Sequence, residues 1–175
     1  MGNKDWETPP DFFRKVHGVY NFTLDAAASD ENALLDQYCT LEGKHSWTPK
    51  DPFGFKPRYG SFAAGLDGLN PEAWRDERVW CNPPYDSTLY KWVEIAASGI
   101  AEVAVLLLPP SIDTKWFHDF IWDDGFIGQP PGPRPGVEIH FLKKRLKFWY
   151  NGKEGKAPRG GSMLVVFNKK PLAFN

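Results

Sequence analysis

The chain has 175 residues, of which 42% are hydrophobic and 25% are charged. This length suits a single domain, and the composition is too apolar for a disordered protein. No apolar run approaches the roughly 20 residues needed to cross a bilayer, and the N-terminus lacks the apolar core of a signal peptide. The two cysteines, Cys39 and Cys81, supply neither a disulfide framework nor a zinc quartet. We therefore expect a cytoplasmic protein without a membrane span or a bound metal.

The net charge of −1 conceals an uneven distribution of charge along the chain. Residues 1–139 contain 12 Lys and Arg against 21 Asp and Glu, a net charge of −9. Residues 140–175 contain 9 Lys and Arg against one acid, Glu154, a net charge of +8. A basic segment attached to an acidic body favours a polyanionic partner, while a solvated surface run is the simpler alternative.

The first half of the chain predicts short elements separated by irregular segments. Thr8 and Pro9 predict the start of a helix, with Thr8 as the N-cap and Pro9 as the first helical residue. Residues 22–25 predict a short strand that ends in a carboxylate, and residues 29–38 predict a second helix. Prolines interrupt any periodicity over 43–66, which predicts an irregular segment.

The second half predicts alternating strands and helices, followed by a cluster of strands. The unbroken apolar run at 103–108 (VAVLLL) is typical of a strand buried on both faces, as in a parallel sheet. The other predicted elements are strands at 79–81, 137–142, 145–149 and 163–167, helices at 88–98 and 114–122, and loops at 128–136 and 151–161. Together they predict one α/β domain over residues 1–175 with a mixed, mostly parallel sheet flanked by helices.

The motif Asn82-Pro83-Pro84-Tyr85 follows a predicted strand, at the sheet edge where α/β proteins bind ligands. Two prolines fix φ near −65° and make the turn rigid. The Asn82 amide and the Pro83 carbonyl can then accept both hydrogens of an exocyclic amine, while Tyr85 stacks on the ring that carries it. A proline turn with a merely packed tyrosine is the alternative for so short a motif.

The motif and its neighbours resemble a known family. Asn-Pro-Pro-Tyr is the catalytic motif of S-adenosylmethionine-dependent amino methyltransferases. Further segments occur in the same order as in the small phage-encoded DNA N6-adenine methyltransferases, the phage Dam-like family, and cover residues 5 to 167. They are Asp5-Trp6-Glu7-Thr8-Pro9, Leu24-Asp25-Ala26-Ala27-Ala28-Ser29, Trp80-Cys81 before the motif, Leu107-Leu108-Pro109 with Asp113-Thr114-Lys115-Trp116-Phe117-His118, and Phe141-Leu142 with Arg145-Leu146-Lys147-Phe148.

The resemblance implies a small Rossmann-like class I methyltransferase that methylates adenine N6 in DNA and extrudes the target base from the duplex. It implies S-adenosyl-L-methionine as the cofactor, DNA as the partner, no separate target-recognition domain, and the cytoplasm of a bacterial host if the gene is phage-borne. The catalytic residues implied are Asn82, Pro83, Pro84 and Tyr85. The cofactor-binding residues implied are Thr8, Pro9, Asp25, Ala26, Asp67 and Asn82, with the Asp67 carboxylate accepting from the cofactor's adenine amine.

The chain departs from the family in its first loop, where Asp25 is followed by three alanines and a serine instead of a glycine-rich turn. Glu42 and Asp51 are the candidates for an acidic residue that binds the ribose hydroxyls. The same tetrapeptide also serves N4-cytosine, RNA amino and protein glutamine-N5 methylation, and the basic segment favours nucleic acid. A DNA-binding module on a degenerate methyltransferase fold stays open as a non-enzymatic alternative.

Basic residues of the carboxyl-terminal segment form the predicted DNA-binding set. In Arg145-Leu146-Lys147-Phe148 the basic residues alternate with apolar ones, so on a strand their side chains share one face that can follow phosphates. Cys81 is interpreted as a strand residue, because the cytosine-C5 enzymes place their nucleophilic cysteine after the proline and not before the asparagine. The DNA-binding candidates are Lys143, Lys144, Arg145, Lys147, Lys153, Lys156 and Arg159.

Overall fold

The computed structural model describes residues 6–40, 67–150, 152–155 and 160–169. In these residues it contains two α-helices, α1 (Pro10–Tyr20) and α2 (Leu89–Ala97), a 3₁₀-helix (Pro71–Trp74) and a π-helix (Phe117–Ile121). The strands are β1 (Leu24–Asp25), β2 (Arg78–Cys81), β3 (Val103–Leu108), β4 (Trp122–Asp123), β5 (Gly132–Pro133), β6 (Val137–Phe141), β7 (Trp149–Tyr150), β8 (Lys153–Glu154) and β9 (Met163–Asn168).

Five strands form one mixed sheet in the order β1-β2-β3-β9-β6. Strands β1, β2 and β3 are parallel, while β9 is antiparallel to both β3 and β6. The predicted α/β class with a mixed sheet is therefore confirmed, but the expectation that the sheet is mostly parallel is wrong, because β9 pairs antiparallel with both of its neighbours. The carboxyl ends of the three parallel strands meet at one edge of the sheet, which we call the carboxyl end; the opposite edge is the amino end.

Strand β3 is buried along its whole length because helices cover both faces of the sheet. Ala104, Leu106 and Leu108 point into the core formed with α2, and the alternating residues Val105 and Leu107 point into a second core. The second core contains Phe13 and Val16 of α1 together with Trp80 and Phe148. The prediction that this strand is buried on both faces is confirmed.

The helix predicted over residues 29–38 is wrong. The chain makes one turn, in which the Ala33 amide donates to the Ser29 carbonyl over 3.0 Å. The next amide, that of Leu34, donates instead to the Asp25 carboxylate over 3.0 Å. Residues 37–40 then run extended beside β1, with the Cys39 amide donating to the Asp25 carbonyl over 2.9 Å. These contacts to the end of β1 replace the helical hydrogen bonds.

Three other predicted elements differ from the structure. Helix α1 begins at Pro10 with Pro9 as its N-cap, so the predicted cap and first residue shift by one, and Thr8 is buried. The predicted strand at 145–149 is wrong: only Trp149–Tyr150 is a strand, because Trp149 pairs with Glu7 and with β8 and not with the main sheet. The predicted loop at 128–136 contains β5, which pairs with β4.

The loop predicted at 151–161 contains β8, which pairs with β7. The other predicted elements agree with the structure. These are the strands at β1, β2, β6 and β9 and the helix α2. The predicted helix at 114–122 is present and takes the form of a π-helix over Phe117–Ile121. It ends before Trp122, which belongs to β4. The irregular segment predicted at 43–66, with Glu42 and Asp51, lies outside the described residues. No helix among the described residues is long and apolar enough to span a membrane.

Candidate functional site

The motif Asn82-Pro83-Pro84-Tyr85 leaves the carboxyl end of β2, between the ends of β1 and β3. Cys81, the residue before the motif, is paired with Leu106 of β3, so the motif begins where the parallel pairing stops. The prolines suit this position because they have no N–H to contribute to a strand ladder. The structure therefore presents the motif at the sheet edge where the sequence predicts a ligand site.

One hydrogen bond fixes the orientation of the Asn82 amide. Its Nδ2 donates to the Trp6 carbonyl oxygen over 3.1 Å. A carbonyl oxygen can only accept, so the amide must turn its nitrogen toward Trp6. The Oδ1 atom is then the acceptor that Asn82 can offer to an N–H group of a ligand.

Tyr85 is held by its hydroxyl while its ring is exposed. The hydroxyl donates to the Leu107 carbonyl near the end of β3 over 3.0 Å, and burial of the hydroxyl raises the pKa of Tyr85. The residue as a whole is nevertheless 42% exposed, although its hydroxyl is buried. A ring anchored at one end with an open surface is suited to stacking on a planar ligand.

Asp25, at the end of β1, is a buried carboxylate with a structural set of partners. It is 3% exposed and accepts hydrogen bonds from the backbone N–H groups of Leu34 and Ala27. Burial raises its pKa from 3.8 to about 6, and the two backbone hydrogen bonds oppose this shift. Asp25 thus shapes the loop after β1, and its role in cofactor binding stays a prediction from the resemblance.

Asp67 and Ala26 lie on adjoining segments at the same end of the sheet. Asp67 pairs in parallel with Thr40, and its Oδ1 accepts from the Leu69 amide over 2.9 Å. The next residue, Gly68, passes so close to the loop after β1 that a Cβ atom there would lie 2.1 Å from the Ala26 carbonyl oxygen. The structure therefore brings Asp67 to the loop after β1.

The segment before α1 connects the motif to the basic part of the chain. Trp6, whose carbonyl holds Asn82, packs edge-on against Phe148 with the ring centroids 5.4 Å apart. Glu7 and Trp149 exchange two backbone hydrogen bonds of 2.9 Å. Thr8 and Pro9 follow directly, so these two candidate residues lie between the Asn82 contact and the first residue of α1.

Trp6 was not among the residues that the sequence picked out individually as site candidates. It lies 76 residues from Asn82 along the chain, and its contribution is a backbone carbonyl. The composition and the local pattern carry no signal for such a contact.

The predicted DNA-binding residues differ in what they contact. Lys147 forms an ion pair with Glu154 at 2.6 Å, which reduces its value as a phosphate contact. Lys153 stands on β8, opposite Tyr150. Lys156 and Arg159 lie outside the described residues. Lys143, Lys144 and Arg145 are exposed between β6 and β7, and because Phe141 pairs with Met163, this segment leaves β6 at the carboxyl end of the sheet.

Neither cysteine has the properties of a nucleophile. Burial raises the pKa of the Cys81 thiol well above 9.0 and that of Cys39 to about 12. Both thiols are therefore protonated at neutral pH, and the thiolate is the reactive form. The described residues also contain no group of three or more His, Cys, Asp or Glu that is placed to hold a metal ion.

A cavity of about 150 Å³ lies away from the motif. Its lining includes Val137, Phe167 and Asn168, and Asn168 pairs with the first residue of β3. The cavity is therefore at the amino end of the sheet. The candidate site rests on the chemistry of the motif and not on this cavity.

No protein-family model matches this chain, and no curated protein matches it. The resemblance to the phage Dam-like methyltransferases stays a prediction from residues and motifs.

Proposed function

We propose that this protein is an S-adenosylmethionine-dependent methyltransferase that acts on adenine N6 in DNA, on a reduced Rossmann-like fold. The observation that carries the proposal is the orientation of Asn82. Its amide nitrogen is bound to the Trp6 carbonyl, which leaves Oδ1 as an acceptor at the start of a rigid proline turn, beside the exposed ring of Tyr85.

This arrangement suits an aromatic amine as substrate. The lone pair of an adenine N6 is conjugated into the ring, which makes the nitrogen a poor nucleophile. Asn82 Oδ1 and the Pro83 carbonyl each accept one N–H, which favours tetrahedral geometry and directs the lone pair out of the ring plane. The same two oxygens stabilise the positive charge that develops on nitrogen. Tyr85 stacks on the base, a contact worth roughly 1–3 kcal/mol, which offsets part of the cost of extrusion from a duplex.

The residues near the loop after β1 suit the proposed cofactor. The Asp67 carboxylate keeps Oδ2 for an amine donor, because its Oδ1 accepts from Leu69. The close contact between Gly68 and Ala26 sets the distance between this carboxylate and the loop. When bound, S-adenosylmethionine supplies an electrophilic methyl group. Asn82 Oδ1 and the Pro83 carbonyl would hold the target amine toward that methyl group.

The test combines a nucleoside digest with two variants. DNA incubated with the protein and S-adenosylmethionine is hydrolysed, and N6-methyladenine is measured by mass spectrometry. We expect Asn82→Ala to abolish the product while S-adenosylhomocysteine still binds in calorimetry. Asp67→Ala should weaken S-adenosylhomocysteine binding first, since it removes the acceptor for the adenine amine.

Three outcomes would contradict the proposal. N4-methylcytosine as the product would assign a different base. Wild-type turnover by Asn82→Ala would remove the motif from catalysis. No heat with S-adenosylhomocysteine, together with retained DNA binding, would identify a binding module in place of an enzyme.

A further inference from the structure

The hairpin formed by β7 and β8 is connected to the motif through two neighbouring residues: Glu7 forms backbone hydrogen bonds with the hairpin, and the Trp6 carbonyl accepts from the Asn82 side chain. Glu7 pairs with Trp149 on one side of β7, and Lys153–Glu154 pairs on the other. The Gly155 amide closes the hairpin by donating to the Phe148 carbonyl over 2.7 Å. Glu7 therefore adds an isolated bridge to the edge of this small sheet, and the carbonyl of the residue before it, Trp6, orients Asn82.

The register of the small sheet aligns three side chains. Glu7 lies opposite Trp149 in an isolated antiparallel bridge, and this register, continued by one residue, sets Trp6 opposite Tyr150. Tyr150 in turn lies opposite Lys153. Side chains of directly opposed residues project from the same face of a sheet, so Trp6, Tyr150 and Lys153 form one row that begins next to Asn82.

The outer part of this row is open. Trp6 packs against the buried ring of Phe148, whereas Tyr150 is 53% exposed. Lys147 is neutralised by Glu154, but no carboxylate partner is recorded for Lys153 in the described part of the chain. An exposed aromatic ring beside a cation, within a segment of net charge +8, is complementary to a base and its phosphate.

We propose that Tyr150 and Lys153 form a subsite for an unpaired nucleotide next to the target base, with the Tyr150 ring stacked on the base and the Lys153 ammonium on the phosphate. This inference rests on the proposed function, since it takes Asn82 as the position of the target. A paired neighbour stays fixed in the duplex by its complementary base and by the stack on its far side, whereas an unpaired neighbour can turn a whole face to the ring. The substrate class is therefore DNA that is single-stranded, or locally unpaired, beside the methylated adenine.

The test measures the binding of a short fluorescent single-stranded oligonucleotide with one adenine, and of the same sequence as a duplex, without a methyl donor. Tyr150→Ala should weaken binding to the single strand about 5- to 150-fold, the range for loss of one aromatic–base stack. Tyr150→Phe should bind like the wild type, because the ring is kept. The matched control is Phe126→Ala, which removes a ring that is 79% exposed on the hairpin between β4 and β5 and should leave binding unchanged.

Wild-type affinity of Tyr150→Ala for the single strand would overturn the inference. So would an equal loss for Phe126→Ala, or an equal loss on the duplex. The Asn82→Ala variant should keep the full effect of Tyr150→Ala on binding. If the wild type binds the single strand through Tyr150 but forms no methylated adenine, the proposed function fails, and the nucleotide contact is established separately.

Discussion

The protonation of Asp25 makes the stability of the fold depend on pH. Its folded-state pKa of about 6 exceeds the usual 3.8 because the carboxyl is buried without a cationic partner among its recorded contacts. Between these two values the folded protein binds more protons than the unfolded chain. The free energy of unfolding therefore falls as the pH rises from 4 to 6.

We expect Asp25→Asn to remove this dependence on pH. The shift of about two pH units corresponds to roughly 3 kcal/mol. The difference in unfolding free energy between wild type and variant should therefore move in favour of the variant by roughly 2–2.5 kcal/mol from pH 4 to pH 7, since pH 4 already lies just above the unfolded pKa. Urea unfolding at both pH values measures it, with Asp113→Asn as a control for loss of an exposed carboxylate. If the difference in unfolding free energy is the same at both pH values, burial does not raise the pKa of Asp25.

At the scale of elements, the site depends on how closely two loops pack at the carboxyl end of the sheet. A Cβ on Gly68 would lie 2.1 Å from the Ala26 carbonyl oxygen and 2.6 Å from the Trp92 ring of α2. The Gly68 carbonyl also accepts from the Trp74 indole over 2.9 Å. Backbone and buried rings surround this position, so they have little freedom to move.

We predict that Gly68→Ala destabilises the protein by about 1–3 kcal/mol, the cost of overpacking, and weakens S-adenosylhomocysteine binding by separating Asp67 from the loop after β1. The matched control is Gly18→Ala in α1, where a Cβ would meet nothing within 4 Å. That change should stabilise the helix by about 0.5–1 kcal/mol. Equal stability of the two variants in thermal or urea unfolding would show that the loops separate at low cost.

For the whole molecule, charge is divided between a body of −9 and a carboxyl-terminal segment of +8. The hairpin of β7 and β8 brings part of this segment to the carboxyl end of the sheet, beside the motif. Lys169 belongs to the same segment but lies at the amino end, where it forms an ion pair with Asp76 at 2.7 Å. The basic residues of this segment therefore differ in position: those of the hairpin lie beside the motif, and Lys169 lies at the opposite end of the sheet.

This division of charge predicts which basic residues set the salt dependence of DNA binding. Replacing Lys153, Lys156 and Arg159 together with alanine should flatten the slope of log affinity against log salt by up to about 2–3 units on duplex DNA. The change should be similar across sequences, because phosphate contacts carry no base information. Lys169→Ala should leave the slope unchanged. An unaltered slope in the triple variant would show that other residues hold the DNA.

The elements that were predicted correctly are those with a local cause. The apolar run of β3, the strand before the motif and the helices α1 and α2 follow from periodicity and from proline positions. The helix predicted at 29–38 failed because the buried Asp25 carboxylate takes the Leu34 amide. The strand predicted at 145–149 failed because Trp149 pairs with Glu7. Neither partner is visible in the local pattern.

The sequence by itself determined the α/β class, the buried central strand and the motif with its rigid proline turn, because short-range sterics and hydrophobic periodicity are written in neighbouring residues. Only the tertiary structure decided which atom of Asn82 faces outward, that Asp25 is enclosed, and that Tyr150 lies in a row with Trp6. Each of these depends on a contact between segments far apart along the chain, and such contacts exist only after the sheet and its two cores have formed.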